Sequence, residues 1–284
     1  MSAAGPSEQR SRRSTAGSPV PTWEQPSPHS RRRPARRHWW DQSGPPSAYL
    51  RIMSAFVLVH GAWHGAWCWE RLTPLLTERG HTATAVELPI TEPEAGLTEY
   101  AAAVSEAVGD GGDVVLVGHS LGGLPLPLVA SRVPLRHMVF VCGLITPAGM
   151  SMRELTRGED VFAAGWSELA RRQLRPGDGS SQWPPDAAIE AFYHDCADDV
   201  ARAAAARLSR QFWRFQTEPN PVAGYPEAPA TYVLCRQDRV INPDWSRRAA
   251  PALLGTPAVE MAGGHSPQLS RPAELADLLH SLVS

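Results

Sequence analysis

The sequence predicts an α/β fold: a mostly parallel central sheet flanked by helices, with a helical cap inserted over one end of it. Three observations predict this. Short, almost continuously apolar runs alternate with helix-length patterns from Met53 to the end, as strands do when crossover helices bury them on both faces. One such run, Asp113–Gly118 (DVVLVG), passes directly into a glycine-rich helix start, Gly118-His119-Ser120-Leu121-Gly122. The stretch from about Thr146 to Pro229 carries helical segments but no core strand, and it is too long to be one loop within a compact domain.

Residues 1–52 stand apart. They hold nine arginines against Glu8, Glu24 and Asp41, a net charge of +6, which leaves −8 for the other 232 residues. Rich in Ser, Pro and Arg and poor in aliphatic side chains, this extension cannot bury enough apolar surface to offset chain entropy, and it is expected to be disordered. Arg12-Arg13 is followed by no apolar segment before Met53, which argues against an export signal. The arginine run between 31 and 37 reads as a solvated tail rather than a nucleic-acid or lipid contact. Met53, two residues before the first strand, is an alternative start.

The remainder, 53–284, reads in order as follows. Ala55–His60 (AFVLVH) is a strand. Trp67–Arg79 is a helix stopped by Gly80. Thr82–Leu88 is a strand, Thr98–Val108 a helix and Asp113–Gly118 a strand. Leu121–Arg132 is a helix whose first turn is distorted by Pro125 and Pro127, since each lacks a backbone donor. Arg136–Cys142 is a strand. Cap helices are expected over Asp160–Arg172, Asp186–Tyr193 and Val200–Phe212, within a cap spanning about 146–229. Strands at Thr231–Cys235 and Ala258–Met261, with helices from Pro243 and from Pro272, complete the series.

Composition narrows the function. The chain is 43% hydrophobic with a net charge of −2, which fits one globular domain and gives no reason to expect a nucleic-acid partner. All 27 cationic residues are arginine; lysine is absent. The four cysteines (68, 142, 196, 235) show no CxxC spacing and read as reduced thiols of a cytoplasmic protein. No apolar run reaches the length of a membrane span. Oligomeric state is left open.

The pattern G-x-S-x-G alone is weak, but its position between a buried strand and a helix is specific. A sharp strand-to-helix turn exposes the serine hydroxyl, and glycines stand where a side chain would clash. Ser120 is therefore the expected nucleophile. It needs a base, and the base needs an orienting acid. His265 follows the strand ending at Met261 through Ala262-Gly263-Gly264, and Asp238 lies just past the strand ending at Cys235. The order Ser, Asp, His suits this fold. Asp244 is the rival acid, but its place at a helix start favours a dipole role. His81 and His137 precede strands, His194 lies in the cap and His280 in the last helix.

Two N–H donors are needed for an oxyanion: Leu121, after the nucleophile, and one from the loop His60-Gly61-Ala62-Trp63-His64-Gly65, where Ala62 is chosen. Trp63, His119, Phe192 and Trp213 are the candidate substrate-pocket residues. Trp166, Trp183, Tyr193, Phe212 and Phe215 are further aromatics of the cap, and Trp67 and Trp69 read as packing. His60 and His64 share i,i+4 spacing but sit in a glycine loop with no matching third ligand, so no metal and no cofactor are expected.

Phe56–Leu72, Val114–Gly123, Val233–Arg248 and Gly263–Leu279 together resemble the α/β-hydrolases that include plant methyl esterases, hydroxynitrile lyases and bacterial carboxylesterases of the pyrethroid-hydrolase type. Phe192-Tyr193-His194-Asp195-Cys196 is similar to the bacterial members. The resemblance covers about residues 54–284 and implies the same Ser120, His265 and Asp238. The lyases carry Thr directly after the first-loop His and Lys after the catalytic His; here these are Gly61 and Ser266. The resemblance therefore implies a serine carboxylesterase acting on a small or medium-sized apolar ester. Hydrolysis of another acyl or a C–C bond, or a receptor-like protein with little turnover, are the alternatives.

Overall fold

The computed structural model describes residues 53–284; the expectation for residues 1–52 lies outside the described residues. Its strands are β1 (Ala55–Val59), β2 (Thr82–Val86), β3 (Val114–His119), β4 (His137–Val141), β5 (Ser180–Ser181), β6 (Gln211–Phe212), β7 (Ala230–Cys235) and β8 (Val259–Met261). Six of them form one sheet in the order β2-β1-β3-β4-β7-β8, with every pairing parallel. Strand periodicity sorts the side chains into two cores. Val57, Leu116, Phe140 and Leu234 face one side. Phe56, Leu58, Val115, Val117 and Val139 face the other.

The helices are α1 (Thr73–Glu78), α2 (Leu97–Val108), α3 (Leu126–Ala130), α4 (Met152–Gly158), α5 (Trp166–Ala170), α6 (Pro185–Phe192), α7 (Asp198–Ala205), α8 (Pro243–Leu254), α9 (Pro267–Ser270) and α10 (Pro272–Ser281). Apolar residues of α1 and α10 cover one face of the sheet, and those of α2, α3 and α8 cover the other. The chain runs from β1 outward to β2, then back across to β3. This reversal makes a crevice beyond the carboxyl ends of β1 and β3, the usual ligand position in open α/β sheets.

Local chemistry explains where elements depart from expectation. The helix expected over Trp67–Arg79 is broken into a 3₁₀ turn at Ala66–Trp69 and α1, which restarts with Pro74 in its first turn; proline is tolerated there because that N–H has no helical partner. After Ser120 the chain makes a 3₁₀ turn to Gly123, and α3 begins only at Leu126, as the two prolines require. In the cap, α5 starts late because Gly165 takes a left-handed φ of 85° as its N-cap. Helix α4 was not expected, although Ser151-x-x-Glu154 is a capping box and both of its bonds form. The helix expected over Val200–Phe212 ends at Ala205. Gln211–Phe212 instead pairs antiparallel with Ser180–Ser181.

Candidate active site

Ser120 follows β3 with a φ of 52°, a left-handed conformation that a side chain seldom adopts unless its surroundings enforce it. The enforcement is steric. A Cβ on Gly122 would lie 2.5 Å from the Val59 carbonyl oxygen, and one on Gly61 would lie 2.9 Å from Ser120 Cβ. The turn thus fits tightly beneath the end of β1, and Ser120 opens onto a cavity of about 380 Å³.

The register Cys235↔Met261 sets the loops after β7 and β8 side by side. Across them, His265 Nδ1 donates to Asp238, 2.9 Å from Oδ2 and 3.1 Å from Oδ1. Oδ1 also accepts from the backbone of Val240 at 2.7 Å and Ile241 at 3.0 Å. A carboxyl group held this way is fixed in place, and as the acceptor it takes its hydrogen bond from the Nδ1 side of the ring, leaving Nε2 facing away from it. Both side chains are buried. The ring's side-chain hydrogen bonds go to Asp238 alone among the described residues, so its link to Ser120 is open in this structure. The rival Asp244 is exposed at the start of α8 and pairs with Arg247 at 2.6 Å.

The register Val59↔Gly118 brings the loop His60–Gly65 against the Ser120 turn, and Ala62, Ser120 and Leu121 line the one cavity together. The N–H of Leu121 lies in the first turn of the 3₁₀ helix, where donors have no intrahelical partner. Two buried histidines orient the facing loop. Leu88 N donates to His60 Nε2 at 3.0 Å, so His60 Nδ1 must carry the proton it gives to the Gly61 carbonyl at 2.8 Å. In a planar trans peptide, fixing that carbonyl aims the Ala62 N–H the opposite way. His64 Nδ1 donates to the Ala62 carbonyl at 2.7 Å, and Tyr193 Oη donates to His64 Nε2 at 2.8 Å. Desolvation by burial lowers the pKa of His60 and takes that of His64 to about 3. Burial also holds the Tyr193 phenol protonated. The cap grips the loop again at Trp63, whose φ is 61°. Its backbone N–H meets Gln211 Oε1 at 3.3 Å, its indole N–H meets Ser181 Oγ at 3.1 Å, and its carbonyl accepts from Ser209 N at 2.8 Å.

Of the four expected pocket residues, Trp63 and Trp213 line the cavity. His119 and Phe192 are not among its lining residues. His119 is fully buried behind the turn and donates from Nε2 to the His265 carbonyl at 2.8 Å. Phe192 is spent on packing, with its ring 5.7 Å from Trp63, 5.0 Å from Trp183 and 6.1 Å from His265. Met152, Arg153 and Arg175 line the cavity without having been anticipated; the first two belong to α4, the helix that was missed. Asp195 Oδ2, accepting from Gly264 N at 2.8 Å, steadies the His265 loop and lies in the same short segment as Tyr193.

Among the described residues, Cys142, Asp238 and His265 bring potential metal-binding atoms within 4.8 Å of one another. A hydrogen bond to Cys235 and burial raise the Cys142 thiol well above its ordinary pKa. A protonated thiol is a poor ligand, and Asp238 and His265 are already bonded to each other.

The model of the alpha/beta hydrolase family matches residues 56–278. Methylesterase 2 of Arabidopsis thaliana is 30% identical over 255 residues, covering 80% of this chain and 95% of its own. The alpha-hydroxynitrile lyase of the same plant is 28% identical, covering 81% of this chain and 96% of its own. A pyrethroid hydrolase from Sphingobium faniae JZ-2 superposes with a TM-score of 0.68 at 21% identity, covering 81% of this chain and 97% of that one. With the family model spanning most of its length, the chain belongs to the alpha/beta hydrolase family.

Proposed function

We propose that the chain is a serine-dependent carboxylic ester hydrolase that works through an acyl-enzyme. The observation that carries this reading is the strained Ser120, which shares one cavity with Ala62 and Leu121, beside a buried His265–Asp238 pair. Ser120 Oγ attacks the ester carbonyl as His265 Nε2 takes its proton. Asp238 holds the imidazole in the required tautomer and stabilises its charge. The N–H groups of Ala62 and Leu121 bind the oxyanion, where removal of one donor costs roughly a hundredfold or more. His265 returns the proton to the departing alcohol, and water attacks the acyl-enzyme by the same route in reverse. The esterase names of the relatives support ester cleavage. So does Ser266, fully buried after His265 where a lyase of the resembling group carries lysine: no cation stands there to receive departing cyanide.

The aromatic wall supports a small or medium-sized apolar ester as substrate. Among the described residues no helix is long and apolar enough to cross a membrane, and all four cysteines are free, which supports a reducing, cytoplasmic location. The test is hydrolysis of p-nitrophenyl butyrate, with fluorophosphonate labelling, by wild type and Ser120→Ala. Turnover and labelling are expected to vanish together in the variant. Turnover that survives the substitution would sink the mechanism, and labelling without ester turnover would favour another acyl substrate or a receptor.

A further inference from the structure

The cavity above Ser120 is walled by aromatic and aliphatic side chains, yet two exposed arginines, Arg153 of α4 and Arg175 of the loop before β5, also belong to its lining. No aspartate or glutamate lines the same cavity. Among the described residues neither guanidinium has a carboxylate partner. Arg175 meets only the neutral Gln173 Oε1, at 3.4 Å, and Gln173 is itself a lining residue. The acid nearest in sequence to Arg153 is occupied elsewhere, because Glu154 accepts from the Ser151 backbone and hydroxyl to cap α4. An anion entering this cavity therefore meets two solvent-facing cations and no competing carboxylate. The planar guanidinium fork matches a carboxylate, which can accept two parallel bonds.

We infer that Arg153 and Arg175 form an anion subsite of the ester pocket, and that the substrate is an apolar ester with a carboxylate at the end remote from the scissile bond. This rests on the reading of Ser120 as the nucleophile, and it deepens that reading by naming the substrate class. The apolar stretch of the substrate would lie against Phe162, Trp166 and Trp213, with the ester at Ser120.

The test compares two esters of equal chain length, p-nitrophenyl octanoate and the mono-p-nitrophenyl ester of octanedioate. These are given to wild type, to Arg153→Gln/Arg175→Gln, and to Arg157→Gln, an exposed arginine of α4 outside the cavity lining. The readout is the ratio of kcat/KM for the anionic over the neutral ester. Wild type is expected to prefer the anionic ester, with the preference falling as salt is added. The double variant should lose a factor on the order of ten in that ratio, since two exposed charge pairs contribute a few-fold each. Arg157→Gln should keep the wild-type ratio. A ratio in the double variant within twofold of wild type, or a wild-type preference for the neutral ester, overturns the subsite. Calorimetric binding of the uncleaved pair, octanamide and the monoamide of octanedioate, gives the same comparison without turnover. Failure of the ester chemistry is thus separable from failure of the subsite. Circular dichroism of the double variant excludes misfolding as the cause of a lost ratio.

Discussion

Tyr193 of the cap and His64 of the loop after β1 share a buried hydrogen bond of 2.8 Å, and through it the cap fixes the Ala62 carbonyl. The direction of the bond is determined. A carbonyl only accepts, so His64 Nδ1 carries the proton, and the bare Nε2 needs the phenol as donor. Tyr193→Phe leaves that nitrogen buried and unsatisfied, at a stability cost of about 1–3 kcal/mol. The loop that carries the proposed oxyanion donor loses its outer anchor. We expect kcat toward p-nitrophenyl butyrate to fall roughly tenfold, a fraction of the loss on removing the donor itself, with KM changed less than twofold. A matched fall in active-site titre would show unfolding instead. A kcat equal to that of wild type at full titre would remove Tyr193 from the positioning of the site.

The buried histidines also set an acid limit. Burial lowers the pKa of His60, His64 and His119, that of His64 to about 3. Each is neutral when folded, whereas an unfolded histidine protonates near its ordinary value of about 6.5. Below that pH the unfolded chain binds more protons than the folded one, so stability rises with pH through this window and is lost as pH falls. For His64 the full loss, reached near pH 3, is roughly 5 kcal/mol, at about 1.4 kcal/mol per pH unit. The histidine contribution to the thermal midpoint should therefore be flat above pH 7 and fall steadily from pH 6.5 to pH 4. His64→Gln should show a shallower slope over that range, and a slope identical to wild type would contradict a buried neutral His64.

The choice between two aspartates can be decided by kinetics. Asp238 bonds the His265 ring and two backbone N–H groups, whereas Asp244 is exposed and pairs with Arg247. Asp238→Asn presents an amide where a carboxylate fixed the tautomer, and kcat should fall by a factor on the order of 10⁴. Asp244→Asn loses one exposed ion pair of about 0–1 kcal/mol and should keep wild-type kcat. The reverse ranking would reassign the acid.

Strands β1, β3, β4 and β7 were legible because each is a short, almost fully buried apolar run with turn chemistry on either side; the partly exposed edge strands β2 and β8 were legible from their place in the alternation with helices. Ser120, Asp238 and His265, the proposed catalytic residues, were picked out for a related reason: each stands at or shortly beyond the carboxyl end of a strand. The cap was not so legible. Its helices are short, and their ends are set by contacts distant in sequence. Gln211, for example, leaves the expected helix to bond Trp63 N, while Tyr193 answers a histidine 129 residues away. No periodicity encodes those choices. His119, also proposed for the pocket, packs instead behind the turn, because successive residues leave a strand on opposite sides.

Gly61 gives the sharpest separation of geometry from stability. It lies between His60, which holds its carbonyl, and Ala62, the proposed oxyanion donor. A Cβ there would lie 2.9 Å from Ser120 Cβ and 3.0 Å from His119 Nδ1. Ser120 cannot retreat, because its own φ of 52° is already set by the close approach of Gly122 to the Val59 and His60 carbonyls. Gly61→Ala must therefore move the loop away from Ser120, the proposed nucleophile, and its Ala62 N–H with it. We expect kcat toward p-nitrophenyl butyrate to fall at least a hundredfold, as for loss of one oxyanion donor, while overpacking costs only about 1–3 kcal/mol of stability. Fluorophosphonate labelling should slow in the same proportion, because its attack passes through a similar charged oxygen. A folded Gly61→Ala variant with wild-type labelling and turnover would place the second donor somewhere other than this loop.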